Sequence, residues 1–341
     1  MLDLGHQVML ACQPDSAILI KAREQGIPVE VVPIRRSWDL TAILKLSRLI
    51  KRHGITIVNT HSGKDTWVGG LAAKLSGVTF FRTRHLSIPL SRSPLNFIHR
   101  LADGTITTGV TIRDAMIARN RIPPERILSI ATGVNAQRFD PENVSVSEAL
   151  RGELGLQRNA PLITMVAVLR GMKRHDVLLN AAKIVLADVP QAQFLAVGDG
   201  PGRENLMQLA RQLGIEKNML FCGHRSDVPQ ILALSDIALL TSDRFEGVPQ
   251  SLSQAMAMAL PVVASPIGSI PELIRDGSTG LFAEAGSPES FARQILRLLD
   301  DRQLRERLGA AAREHILEYY TDDIMARTTI DFYTRISGHQ S

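Results

Sequence analysis

Glu246, Gly247, Val248, Pro249 and Gln250 stand directly before a run of small residues in the stretch FEGVPQSLSQAMAMALPVVAS at 245–265. Proline suits the first turn of a helix, where its missing N–H costs nothing. Gly247 lets the preceding loop approach a ligand closely. The unpaired N–H groups of such a first turn, together with the helix dipole, favour an anion such as a diphosphate. Glu246 before the helix and Gln254 within it add polar groups suited to hydroxyls. A tight strand-to-helix turn with an incidental acid fits the same letters, so the stretch by itself leaves both readings open.

Chemistry of that kind needs a sheet behind it. Short β-rich runs alternate with helical patterns along the whole chain. Strands are expected at 7–12, 28–32, 55–60, 80–83 and 104–107, then at 162–168, 193–197, 219–222, 237–240 and 261–264. Helices fill the intervals, and this alternation predicts α/β architecture with parallel sheets covered on both faces. The pattern recurs on either side of a variable segment, 141–161, which reads as an interdomain linker. Ligands in doubly wound folds bind at the carboxyl ends of the strands, beside helix N-termini. The opening MLDLGHQV reads as a helix tail, a glycine stop and a strand. The expectation is that a first strand, its loop and most of a first helix belong before it.

Composition narrows the class. With 341 residues, 45% apolar and 21% charged, the chain is an ordinary globular protein of two-domain size. No apolar stretch is long enough to span a bilayer, and no basic–apolar–small leader opens the sequence. Two cysteines far apart, Cys12 and Cys222, read as free thiols in a reducing cytoplasm. Residues 1–150 hold 19 Lys+Arg against 12 Asp+Glu, and residues 151–341 hold 20 against 22. The basic first half suits an anionic partner or a merely solvated face.

Residues 241–282 resemble the donor-site signature of the family-4 retaining glycosyltransferases. That signature runs from a Glu, across seven residues, to a second acidic position, a G-x-P-V-V-A-S type strand and a G-G-x-P-E-L type turn. Gly198-Asp199-Gly200, Cys222-Gly223-His224-Arg225-Ser226-Asp227-Val228, Gly133-Val134-Asn135 with Arg138-Phe139, and Asp276-Gly277-Ser278-Thr279-Gly280 are similar to further motifs of the family. The resemblance implies the GT-B fold: two doubly wound Rossmann-like parallel-sheet domains facing a cleft. It places an acceptor-side domain at 1–145, lacking its first strand, loop and helix, and a nucleotide-sugar domain at 146–318. Residues 319–341 would form a helix returning to the first domain.

Carried over residue by residue, the resemblance puts Glu246 at the transferred sugar and position 254 at the ribose. The family has Glu at the latter and this chain has Gln254; charge-assisted hydrogen bonds are the stronger, so weakened or altered nucleotide binding is implied. The family's basic pair on the diphosphate, G-R-x-x-x-x-K, meets Ala167-Val168-Leu169-Arg170-Gly171-Met172-Lys173. Lys173 fits the lysine, Val168 occupies the arginine position, and Arg170 is the substitute cation. The implied donor site comprises Arg170, Lys173, Gly198, Arg225, Glu246, Gly247, Val248, Pro249, Gln250 and Gln254, without metal or cofactor, the nucleotide-sugar being a substrate. His61, in Ile57–Ser62, and His85, in Arg82–His85, both end expected strands; the resemblance favours His85, with Glu246, as catalytic.

Residues 35–53 form a basic amphipathic segment that suits an anionic membrane or packing on its own sheet. With 4% aromatics and no reader motif, nucleic acid is not an expected partner. The implied function is transfer of a sugar from a nucleotide-sugar to a carbohydrate or lipid-linked acceptor. The implied setting is lipopolysaccharide or exopolysaccharide assembly in the cytoplasm or at the inner membrane face. A truncated, non-catalytic nucleotide-sugar-binding protein and a sugar-nucleotide epimerase on the same fold are the alternatives.

Overall fold

Strands that read as unbroken apolar runs must be buried on both faces, and a parallel sheet under two helix layers does this. The computed structural model describes residues 1–85, 97–244 and 246–338 of the chain. They form two compact units, Met1–Ile130 with the segment from Met325, and Ala131–Ile324.

In the first unit the order is β1 (Leu10–Cys12), α1 (Ala17–Glu24), β2 (Val29–Val31), α2 (Leu40–Arg52), β3 (Ile57–Thr60), α3 (Gly63–Ser76), β4 (Thr79–Arg84), α4 (Ile98–Leu101), β5 (Gly104–Thr107), α5 (Val110–Asn120) and β6 (Ile127–Ser129). β3, β4, β5 and β6 make a parallel sheet in that order, and β1 pairs β2 in a separate parallel ladder. Between them stands a small core of Val32, Ile43, Ile50, Val68 and Ala72. Leu2–Leu4 is a single 3-10 turn that Gly5 ends at φ 85°. α3 starts at a reciprocal box, in which Asp65 accepts from the backbone of His61 and Ser62. Gly70 lets that helix lie against β4, because a Cβ there would stand 2.6 Å from the Phe80 ring.

The second unit continues with α6 (Glu148–Glu153), β7 (Leu162–Val166), α7 (His175–Asp188), β8 (Gln193–Val197), α8 (Arg203–Leu213), β9 (Met219–Gly223), α9 (Val228–Leu234) and β10 (Ile237–Leu240). After these come α10 (Gln250–Ala257), β11 (Val262–Ala264), α11 (Ile270–Leu273), β12 (Leu281–Phe282), α12 (Pro288–Asp300) and α13 (Arg302–Tyr319), then α14 (Asp322–Ser337), which from Met325 belongs to the first unit. Its six strands are all parallel, in the order β12-β11-β10-β7-β8-β9. From β7 the chain winds one way through β8 and β9, then crosses back to β10 and winds the other way. The reversal therefore falls between β7 and β10.

Two expectations change here. The segment 141–161 is no linker: α6 buries Leu150, and Leu154 follows it into a cluster with Leu162, Leu195 and Ile231. The chain leaves the first unit at Ile130, earlier than residue 145, because Val134 and Phe139 already belong to the second core and Asp140 pairs Arg313 at 2.8 Å. β6 and β12, three and two residues long, were not anticipated from the sequence.

Candidate functional site

The reversal between β7 and β10 leaves room at their carboxyl ends, and the two loops there are tied together. After β7, Leu169 is fully buried while Val168 is half exposed; a 3-10 turn, Gly171–Lys173, follows. Arg174 then takes a left-handed conformation at φ 50°. Its guanidinium forks onto Asp176 at 2.8 Å and reaches Asp243, beyond β10, at 3.0 Å. Those hydrogen bonds, Asp176's first, hold the Arg174 pKa above its usual value. Asp243 N donates to Met172 O, and Thr241 Oγ1 donates to the carbonyls of Lys173 and Arg174.

This stapling fixes Lys173 against Glu246. Lys173 Nζ and Ser242 Oγ both donate to Glu246 Oε1, each at 2.5 Å, and Glu246 is only 6% exposed. Glu246 O in turn accepts from Ser269 N, in the loop after β11. Gly268 passes so close that a Cβ would lie 2.2 Å from Glu246 O, and its φ of +54° favours glycine. Pro249 is the N-cap of α10, one position earlier than the first-turn place expected for it. Its carbonyl accepts from Leu252 and Ser253, while no acceptor is found among the described residues for the amides of Gly247, Val248, Gln250 or Ser251. A carboxylate, an ammonium and a set of open amides thus converge where a helix N-terminus attracts anions.

The other expected donor residues divide. Arg170 is exposed on the β7 loop, three residues before Lys173. Gln254 is half-buried one turn into α10. Gly198 acts on the scaffold: at φ +141° its Cβ position lies 2.1 Å from Ala167 O, so its bareness allows the β7 and β8 loops to stack. Arg225 pairs Asp227 at 2.6 Å and Glu153 at 2.5 Å, and those hydrogen bonds raise its pKa. Ser242, Arg174 and Asp243 escaped the sequence reading. Arg174 and Asp243 are 69 positions apart, and only the strand order reveals that their loops meet.

His85 lies in the first unit, at the end of β4, and does not stand alone. His61, at the end of β3, faces it with Nδ1···Nε2 at 3.1 Å and the rings stacked at 5.4 Å. Crowding by protein lowers both pKa values, and the charge His85 would carry lowers that of His61 further. Beside them Arg82 is buried, its pKa pushed down to about 10 by burial and then by Arg84, and it meets His99 Nδ1 at 2.5 Å.

Comparison with known proteins gives these loops a context. The profile of the group 1 glycosyl transferases matches residues 146–315, and that of glycosyltransferase family 4 matches residues 1–138. The N-acetyl-alpha-D-glucosaminyl L-malate synthase of Bacillus anthracis is 35% identical over 84% of this chain and 76% of its own length. The UDP-Gal:alpha-D-GlcNAc-diphosphoundecaprenol alpha-1,3-galactosyltransferase of Escherichia coli is 29% identical over 78% of this chain and 72% of its own. Among solved structures, a glycosyltransferase from Rickettsia africae superimposes with a TM-score of 0.88 at 22% identity, over 99% of this chain and 92% of that one. Anabaena HepE, solved with UDP-glucose, gives 0.84 at 22% identity over 97% and 92%. The shared architecture is the GT-B fold.

Proposed function

We propose, from the premise that this chain belongs to the family-4, group 1 glycosyltransferases, that it carries a sugar from a nucleotide-sugar donor to a hydroxyl of a lipid-linked or carbohydrate acceptor. The observation that carries the reading is the meeting of Lys173, Glu246 and the open amides ahead of α10, at the reversal point of the sheet. A diphosphate seated on those amides would lie beside Lys173, whose ammonium has three donors and serves Glu246 and a phosphate oxygen together. Arg170 supplies the second cation, in place of the arginine that Val168 replaces. Charge that develops on the departing diphosphate is met by groups already in position, so no reorganisation is needed as the bond breaks. Glu246, fixed by Ser242, takes a hydroxyl of the transferred sugar, and Gln254 accepts from the ribose.

The finer reading is a retaining, metal-independent hexosyl transfer in which the leaving phosphate helps deprotonate the acceptor. Its setting would be envelope polysaccharide or lipopolysaccharide assembly at the inner face of the cytoplasmic membrane, with residues 35–53 toward anionic lipid. Support for a lipid-linked acceptor comes from the diphosphoundecaprenol in the name of the Escherichia coli relative. No helix among the described residues is long and apolar enough to cross a membrane. His85 and His61 are the residues of the first unit assigned to the acceptor side.

Calorimetric titration with a panel of nucleoside diphosphates and their sugars, followed by transfer assays on membrane extracts, tests the proposal. One nucleotide series should bind and support transfer, and Lys173→Ala should lower kcat/KM about tenfold or more, as loss of a leaving-group contact does. Unchanged turnover in that variant removes Lys173 from the site, and a chain that binds no nucleotide refutes the reading.

A further inference from the structure

His61 and His85 each stand one residue beyond a strand, since β3 ends at Thr60 and β4 at Arg84. The ladder bonds that fix strand residues therefore stop just beneath the pair. Backbone ties take over there: Asp65 accepts from His61 N, and Thr108 Oγ1 donates to His85 O at 3.2 Å. Neither tie sets how far apart the two rings stand. That spacing comes from the side chains one rung below.

Residues two apart on a strand share a face, and Asn59 is registered with Phe81. Ile57, Asn59 and His61 thus share one face of the sheet with Phe81, Thr83 and His85. On that face Asn59 and Thr83 make the rung beneath the histidines. Asn59 Nδ2 donates to Thr83 Oγ1 at 2.9 Å, and that hydroxyl donates back to Asn59 Oδ1 at 3.1 Å. A half-buried amide in this position needs an acceptor for its second N–H. Tyr333 of α14 supplies it, its OH accepting from Asn59 Nδ2 at 2.8 Å. The tyrosine is itself seated, because its ring packs 4.4 Å from that of Phe81, and Phe332 stands edge-on to Phe81 at 5.6 Å. α14 thereby grips two successive levels of the sheet, the apolar Phe81 and the polar Asn59–Thr83, directly below the histidines.

We infer that Tyr333, through Asn59 and Thr83, is a positioning residue for the His61–His85 pair, locking the rung that sets the separation and facing of the two rings. The inference rests on the function proposed above for what the pair does, namely meet an acceptor. It goes beyond that reading in assigning what holds the pair in place.

Tyr333→Phe deletes one oxygen and keeps the ring on Phe81, and Thr83→Val deletes the hydroxyl on the other side of the amide. Nitrogen NMR of the imidazoles reads the two rings directly. In both variants the His61 and His85 signals should move together. Those of His53, at the end of α2, and of His99, which meets Arg82, should hold, because neither residue touches this rung. Thr83→Ser, which keeps the hydroxyl, should return the signals to the parent positions. In transfer assays kcat should fall about threefold or more with the KM for the nucleotide-sugar unchanged, because misplaced groups slow the chemical step and leave donor binding alone. Unmoved His61 and His85 signals in both variants, equal movement of His53 and His99, or an unchanged kcat overturns the inference. If the parent chain transfers no sugar, the NMR outcome still decides the positioning role, and only the proposed function falls.

Discussion

One oxygen of Glu246 answers to two donors: Ser242, four residues before it, and Lys173, which the sheet brings near from 73 positions away. Glu246 was legible in the letters because it stands directly before Gly247 and Pro249, and Lys173 only through the resemblance of residues 167–173 to the family's basic pair. Ser242 carried no such signal; a serine four residues before an acid is common, and its burial beneath Glu246 follows from how β10 ends. His61 shows the same limit, since its pairing with His85 needs β3 and β4 to be neighbours. That pair makes a prediction with a definite sign. Both folded pKa values lie below the ordinary histidine value, so the folded state binds fewer protons than the unfolded one. Stability from these groups is therefore full above about pH 6.5 and declines as pH falls through their lowered values. Replacement of His85 by Gln removes one of the causes acting on His61. Histidine NMR titration should then show the His61 pKa rising toward its ordinary value; a pKa that does not move would mean the two rings are uncoupled.

At the scale of elements, the strands of the second unit were readable as apolar runs because a parallel sheet buries both faces. β12, two residues long, was too short to leave a pattern. The polar, proline-bounded stretch 141–161 resembled a linker, and only three-dimensional packing shows Leu150 and Leu154 filling a gap beside β8. The loops are where one added methyl would be felt most. Gly268 combines a left-handed φ with contact against Glu246 O, so Gly268→Ala meets backbone strain and a clash together. The expected cost is about 1 kcal/mol or more in stability, since alanine is disfavoured at positive φ. Displacement of Glu246 should also weaken nucleotide-sugar binding. Denaturant melts and calorimetry of that variant check both; parent-like values would show that the β11 loop does not position the acid. His175, buried at the start of α7 with its pKa pushed down to about 4 by burial and then by Lys173, adds to the acid sensitivity of the same corner.

Across the whole molecule, the chain makes two cores and then revisits the first. Phe332 on α14 is 1% exposed and packs with Phe81, Ile106 and Ile130, and Tyr333 OH accepts from Asn59 Nδ2 at 2.8 Å. Burial lifts the Tyr333 pKa to about 12. The last helix is therefore part of the first unit's interior. Phe332→Ala should cost that unit about 3–5 kcal/mol, in the range for a buried phenylalanine. Chemical unfolding followed by tryptophan emission, which reports on the first unit, should register the loss. A second-unit signal such as thiol labelling of Cys222 should hold, because its main core contains neither Phe332 nor its partners. A midpoint that stays put in the first unit would show that α14 rests there without contributing.

The β1–β2 ladder stands apart from every other strand, and few of its side chains are shielded from water. Its amides are guarded by three residue pairs and one thin apolar seam, not by an interior. Solvent protons consequently have a shorter way into that ribbon than into β7 or β8, and thermal fluctuation can loosen this corner long before the second unit gives way.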